Sequence, residues 1–216
     1  RLDDIIGKIL DNADKNTLVV LTSDHGAIPL NKWVSLNNLF AKKGWLKFEI
    51  NKETGEPIVD WENSKVVYLK MAHVYINPNG LAGNYTRVSD QKYENLRNEV
   101  IDALNELEDL ETGLKPVIAI AKWENVTNML DLPKDRVGDL VIANMAGYGW
   151  NEEMTEDLKI FDTPLKSGYK QAILDKKNEG MWTPFIVIGP GVKKNYKITE
   201  PLEMADVYPM SCVKIV

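Results

Sequence analysis

Apolar residues recur along this chain with two different periods, and their alternation outlines an α/β protein. Leu2, Ile5, Ile6, Ile9 and Leu10 share one stripe at helical spacing, which predicts a helix over 2–11 ending near Asn12. The polar turn Asp14-Lys15-Asn16 leads into Leu18-Val19-Val20-Leu21, an unbroken apolar run of the kind found in buried parallel strands. A short helix is expected from Ser35 to Lys43, with Ser35 as N-cap and Gly44 just past its end. Trp45 to Ile50 alternates apolar and charged positions, the signature of a half-exposed strand, and short strands are expected around 66–69, 73–76 and 117–121. The clearest helix spans 90–110: Tyr93, Leu96, Val100, Leu104 and Leu107 form its apolar face, Ser89 is placed to cap it, and Gly113 follows its end. The β-rich runs at 139–143 and 185–188 are expected to join 18–22 in one mostly parallel central sheet flanked by helices. Pro209 is placed to open a last helix. No repeat or linker interrupts the chain, so 1–216 reads as part of one domain, with 45–135 as an α+β elaboration inside it.

Composition narrows the classes. With 216 residues, 44% hydrophobic and 27% charged, the chain has the material for a proper core. No apolar run approaches the roughly 20 residues of a membrane span. A net charge of −6 argues against duplex nucleic acid as a partner, since any phosphate handled here must be held by metal and local donors. The single cysteine, Cys212, excludes an internal disulfide and reads as a small packed hydrophobe.

Chemistry concentrates at the end of the first apolar run, in Ser23-Asp24-His25-Gly26. Ligands of open α/β sheets gather beyond the carboxyl ends of strands. There Asp24 offers an oxygen and His25 a nitrogen of the kind Zn2+ or Mn2+ takes, and Gly26 permits a tight turn. The other histidine, His73, lies in a strand-like context and reads as a packed or exposed strand residue more readily than as a metal ligand. Gly147-Tyr148-Gly149-Trp150 offers aromatic faces that suit either a ring or the core.

Ser-Asp-His-Gly directly after an apolar strand resembles the metal-binding motif of the alkaline phosphatase superfamily, with the type I phosphodiesterase/nucleotide pyrophosphatase group as the nearest branch. Further downstream, Ser167-Gly168-Tyr169-Lys170-Gln171-Ala172 and the stretch from Met181 to Lys193, including Gly189-Pro190-Gly191, resemble the final strand and turn of a microbial subgroup. Arg136-Val137-Gly138-Asp139-Leu140-Val141-Ile142 lies between them in the expected order. The resemblance implies an alkaline phosphatase-like core, incomplete here, and makes Asp24 and His25 metal ligands. The family adds a later His before the final Gly-Pro turn. This chain has Gly168-Tyr169-Lys170-Gln171 there, and Lys170 is either a point charge for a phosphate oxygen or a surface lysine.

The implied function is metal-dependent hydrolysis of a small phosphorylated substrate at a phosphodiester or nucleotide pyrophosphate bond, with Zn2+ the first choice of ion and Mn2+ the second. The family's nucleophile, a Thr or Ser, lies upstream of the Asp-His-Gly motif, and the chain opens with Arg1 in mid-pattern, so it is expected to be the C-terminal part of a longer enzyme. An incomplete sheet presents an edge open to self-association. Phosphomonoesterase, sulfatase or phosphomutase chemistry and a non-catalytic anion-binding relative are the alternatives.

Overall fold

In the computed structural model, helices and strands follow one another in the α/β manner that the alternating periods predict. The structure describes residues 1–70, 72–164, 168–172, 174, 178–203 and 205–207, so Ser167, Pro209 and Cys212 lie outside the described residues. The elements are α1 (Leu2–Asn12), β1 (Val19–Thr22), β2 (Ile28–Pro29), β3 (Lys32–Ser35), α2 (Leu36–Lys42), β4 (Phe48–Ile50), β5 (Pro57–Val59), β6 (Val66–Leu69) and β7 (His73–Ile76). They continue with α3 (Gln91–Glu106), β8 (Val117–Lys122), α4 (Val126–Leu130), β9 (Leu140–Asn144), β10 (Tyr148–Asn151), β11 (Phe161–Asp162), β12 (Gly168–Tyr169) and β13 (Phe185–Ile188). Two compact units result: Arg1–Gly26 with Asn178–Val216, and Ala27–Lys177.

In the first unit β1 pairs β13 antiparallel, with Val19 opposite Ile188 and Thr22 opposite Phe185. This corrects the expectation of a mostly parallel sheet. A continuous apolar run reports burial and carries no strand direction. Nor is β1 fully buried, since Val19, Val20 and Leu21 are only partly covered. The apolar stripe of α1 is largely exposed, Leu2 at 72% and Ile5 at 55%.

The second unit holds most of the core. Its main sheet has the order β6-β7-β9-β8, and all three of its pairings are antiparallel. β9 therefore lies in this sheet instead of beside β1, a second departure from the expected arrangement. Its five residues are all buried, as its apolar composition demands. A second sheet, β10-β3-β11, contains a parallel pair, β10 with β3.

Helix α3 buries Tyr93, Leu96, Val100 and Leu104, and Leu107 is buried just past its end. Each such side chain contributes about 1.5–3 kcal/mol relative to exposure. Its cap is Asp90, whose carboxylate accepts from the Tyr93 amide at 2.8 Å; Ser89 sits one residue too early. Asp139 is fully buried and accepts from Tyr93 Oη and the Ile76 amide, each at 2.6 Å, and from Tyr85 Oη. Helix α2 carries two fully buried amides, Asn37 and Asn38. Asn37 Oδ1 accepts from the Tyr68 amide at 2.8 Å, while its Nδ2 donates to the carbonyls of Tyr68 at 3.1 Å and Glu152 at 3.3 Å. Asn38 clamps Thr155 and Lys159 in the same way.

Candidate active site

Strand β1 ends at Thr22 and delivers Ser23, Asp24, His25 and Gly26 into a turn on the first unit. The turn is held against the segment around Met181: the Gly26 amide donates to the Met181 carbonyl at 3.0 Å. The approach is close enough to require glycine, because a Cβ at residue 26 would lie 2.2 Å from the Gly180 carbonyl oxygen.

Within the turn, Ser23 Oγ donates to Asp24 Oδ1 at 3.2 Å. His25 Nδ1 lies 2.8 Å from the Gly26 carbonyl oxygen. A carbonyl only accepts, so this bond puts a proton on Nδ1. Nε2 then faces Asp24 Oδ2 at 3.1 Å. The Asp24 side chain is 81% exposed and that of His25 34%. Residual desolvation pushes the Asp24 carboxyl up, but the amides of His25 and Asp24, the His25 ring and the Ser23 hydroxyl outweigh it and hold the group below the ordinary carboxylate value.

Asp24 and His25 offer the oxygen and nitrogen donor types that a divalent ion takes, at the 3.1 Å separation of an ion pair. Two ligands about 2.0–2.2 Å from a tetrahedral zinc lie about 3.3–3.5 Å from each other, close to the spacing observed between Oδ2 and Nε2. The backbone carbonyl on Nδ1 is the partner that a metal-ligating histidine ordinarily has. Among the described residues no three His, Cys, Asp or Glu side chains gather, so the turn brings together two side-chain donors of these types.

Lys170 belongs to the second unit, where it follows β12 and is exposed. Its neighbour Gln171 is buried and does structural work that the sequence did not announce. Gln171 Nε2 donates to the Pro29 carbonyl at 2.8 Å, and Oε1 accepts from the Gly147 amide at 2.9 Å and Asn144 Nδ2 at 3.3 Å. The only signal available was a polar residue next to a short β run, which is compatible with a surface loop. His73 lies in β7, its ring edge-on to Tyr75 with centroids 6.2 Å apart. Burial pushes its pKa down.

The model of the type I phosphodiesterase / nucleotide pyrophosphatase family matches residues 1–171, a span that includes the Asp24–His25 turn and Lys170. The chain belongs to this family. Among curated proteins there is no match. Two solved structures of phosphonoacetate hydrolase from Sinorhizobium meliloti 1021 are similar to the chain, one in complex with phosphonoformate (16% identity, TM-score 0.47) and one with phosphonoacetate (14%, TM-score 0.46). Each alignment covers 88% of this chain and 40% of that protein, so the chain spans about two fifths of the length of these relatives. No helix among the described residues is long and apolar enough to cross a membrane.

Proposed function

We propose that this chain is part of a metal-dependent hydrolase of phosphate esters acting on phosphodiester or nucleotide pyrophosphate bonds. The observation that carries the reading is the convergence of Asp24 Oδ2 and His25 Nε2 at 3.1 Å in a strand-end turn, in a chain of the type I phosphodiesterase family. Asp24 and His25 would hold the ion, Zn2+ in the first instance and Mn2+ as the alternative. When bound, such an ion polarises a phosphoryl oxygen and neutralises charge on the transferring group.

The chain's own residues prepare the site. Ser23 and the amides around Asp24 keep its carboxylate ionised and oriented. The Gly26 carbonyl fixes the His25 ring so that Nε2 stays on the carboxylate side. Gly26 lets the turn seat against Met181 without a side chain in the way. In this reading the attacking hydroxyl is a Thr or Ser outside these residues.

The test is hydrolysis of a chromogenic phosphodiester by the natural protein, with and without His25→Ala. Loss of hydrolysis and of bound metal together is the expected result. Unchanged hydrolysis of every phosphodiester tried contradicts the proposal.

A further inference from the structure

Thr22 and Trp182 border the Asp24–His25 turn through two different links. Thr22 lies two residues before Asp24, which puts their Cα atoms within about 7 Å of each other. Trp182 follows Met181, whose carbonyl holds the Gly26 amide at 3.0 Å. Both residues also line one cavity of ≈ 770 Å³ in the first unit, within the range of about 300–1,000 Å³ usual for small-molecule sites. The cavity therefore borders the turn that carries the candidate metal pair.

One wall is β13, and the other is the segment that follows it. The Gly189-Pro190-Gly191 turn, with Gly191 at φ 77°, redirects the chain so that residues 192–203 contribute the second wall. Trp182, Phe185 and Tyr196 give the cavity three aromatic side chains. Their surface is accessible: Trp182 is 47% exposed and Tyr196 67%. The Lys193 ammonium sits 5.3 Å from the centroid of the Tyr196 ring and holds one of its faces. Charge is uneven as well. From Met181 to Thr199 the chain has Lys193, Lys194 and Lys197 and no acidic residue, while Glu200 and Glu203 line the cavity beyond that stretch.

These features select among ligands. An alkyl chain gains in proportion to the apolar area it hides, and walls this exposed hide little of it. A flat ring needs only one well-placed aromatic face, because stacking adds to what area alone supplies. A phosphate ester is also an anion, which Lys193 and Lys197 on the wall favour.

We propose that this cavity holds an aromatic ring of the substrate, stacked on Trp182 with Tyr196 beside it, so that these two residues set a preference for ring-bearing phosphate compounds over alkyl ones. The proposal rests on the hydrolase reading for the reaction and on the cavity for the preference. Calorimetric titration of the natural protein with Zn2+ uses phenylphosphonate, methylphosphonate and hexylphosphonate, which share one anionic head and have no ester bond to hydrolyse.

Phenylphosphonate is expected to bind about 5- to 150-fold more tightly than methylphosphonate, the gain of stacking one ring on an aromatic side chain, and more tightly than hexylphosphonate. Trp182→Ala is expected to bring the phenyl-to-methyl ratio within about threefold of one, and Trp182→Phe to keep the preference. Tyr196→Ala, at an exposed position, is expected to lower the ratio in the same direction. Both probes are read on one preparation, so the ratio does not depend on how much of a variant folds. Hexylphosphonate binding as tightly as phenylphosphonate overturns the proposal. So does equal affinity for phenyl and methyl probes, a preference unchanged in both Trp182→Ala and Tyr196→Ala, or no binding of any probe at about 10 mM. Hydrolysis of a chromogenic phosphodiester by the same preparation is scored separately. Ring preference without hydrolysis keeps the cavity and removes the hydrolase reading, whereas hydrolysis without ring preference does the reverse.

Discussion

At the scale of single residues, the account rests on how few atoms define the Asp24–His25 pair. One carbonyl holds the histidine Nδ1–H, one hydroxyl steadies the carboxylate, and one missing Cβ lets the turn close. Gly26→Ala puts a methyl group inside the contact distance of the Gly180 carbonyl, so the turn must shift. The expected cost is about 1–3 kcal/mol, as for other overpacking substitutions, read as a lower denaturation midpoint together with weakened metal retention. A variant with unchanged midpoint and metal content removes the close-approach argument. If Lys170 touches the phosphate, Lys170→Ala is expected to slow turnover by about 100- to 1,000-fold, the range of about 2.7–4 kcal/mol for a lost electrostatic stabiliser. A change below about threefold, less than about 0.7 kcal/mol, returns Lys170 to the surface. The Asp-His-Gly turn could be picked out because its residues are adjacent in sequence and follow an apolar run. The role of Gln171 could not, because its partners, the Pro29 carbonyl and the Gly147 amide, are brought to it only by the folded chain.

At the scale of elements, the helix α3 and the strands β6, β7, β8 and β9 could be read from periodicity, since each presents an apolar face or run to the core; β13 was read from its apolar run, although Ile186 and Ile188 are about half exposed. Pairing could not. β1 and β9 have similar apolar composition, yet β1 pairs with β13 and β9 with β7 and β8. Direction and neighbour are properties of the topology, to which a residue pattern is blind. The buried amides of α2 were equally hidden, because Asn at a helix start reads as a capping residue or a solvated one. Asn37→Ala strips the Tyr68 amide and carbonyl of their partner and is expected to cost about 2–4 kcal/mol. The check is urea unfolding, with a lower midpoint at an unchanged slope. A shift below about 0.5 kcal/mol contradicts the clamp.

His73 gives β7 a pH dependence with a definite sign. Burial lowers its folded-state pKa, so as pH falls below the usual imidazole value of about 6.5 the unfolded chain binds the proton first. Stability therefore falls with pH from that point downward until the folded-state value is reached, and His73→Gln is expected to lose less stability than the native chain between about pH 7 and pH 5. Equal losses in both chains rule out His73 as the source.

At the scale of the whole molecule, the ligand arithmetic governs what these 216 residues do alone. A zinc site normally takes four donors, and Asp24 and His25 would be two, with no cluster of three or more among the described residues. The chain by itself is expected to hydrolyse no chromogenic phosphodiester with added Zn2+ or Mn2+. Robust turnover abolished by His25→Ala shows instead that a complete site exists within it. The most direct measurement of the central claim is the Zn2+ affinity of the natural protein, by competition with a chromogenic chelator, beside His25→Ala and Asp24→Asn variants that retain the native circular dichroism spectrum. Each substitution is predicted to lower the affinity by at least about 100-fold, beyond the 10–100-fold typical of losing a residue that only supports a ligand. Unchanged affinity in both folded variants contradicts the assignment of Asp24 and His25 as metal ligands.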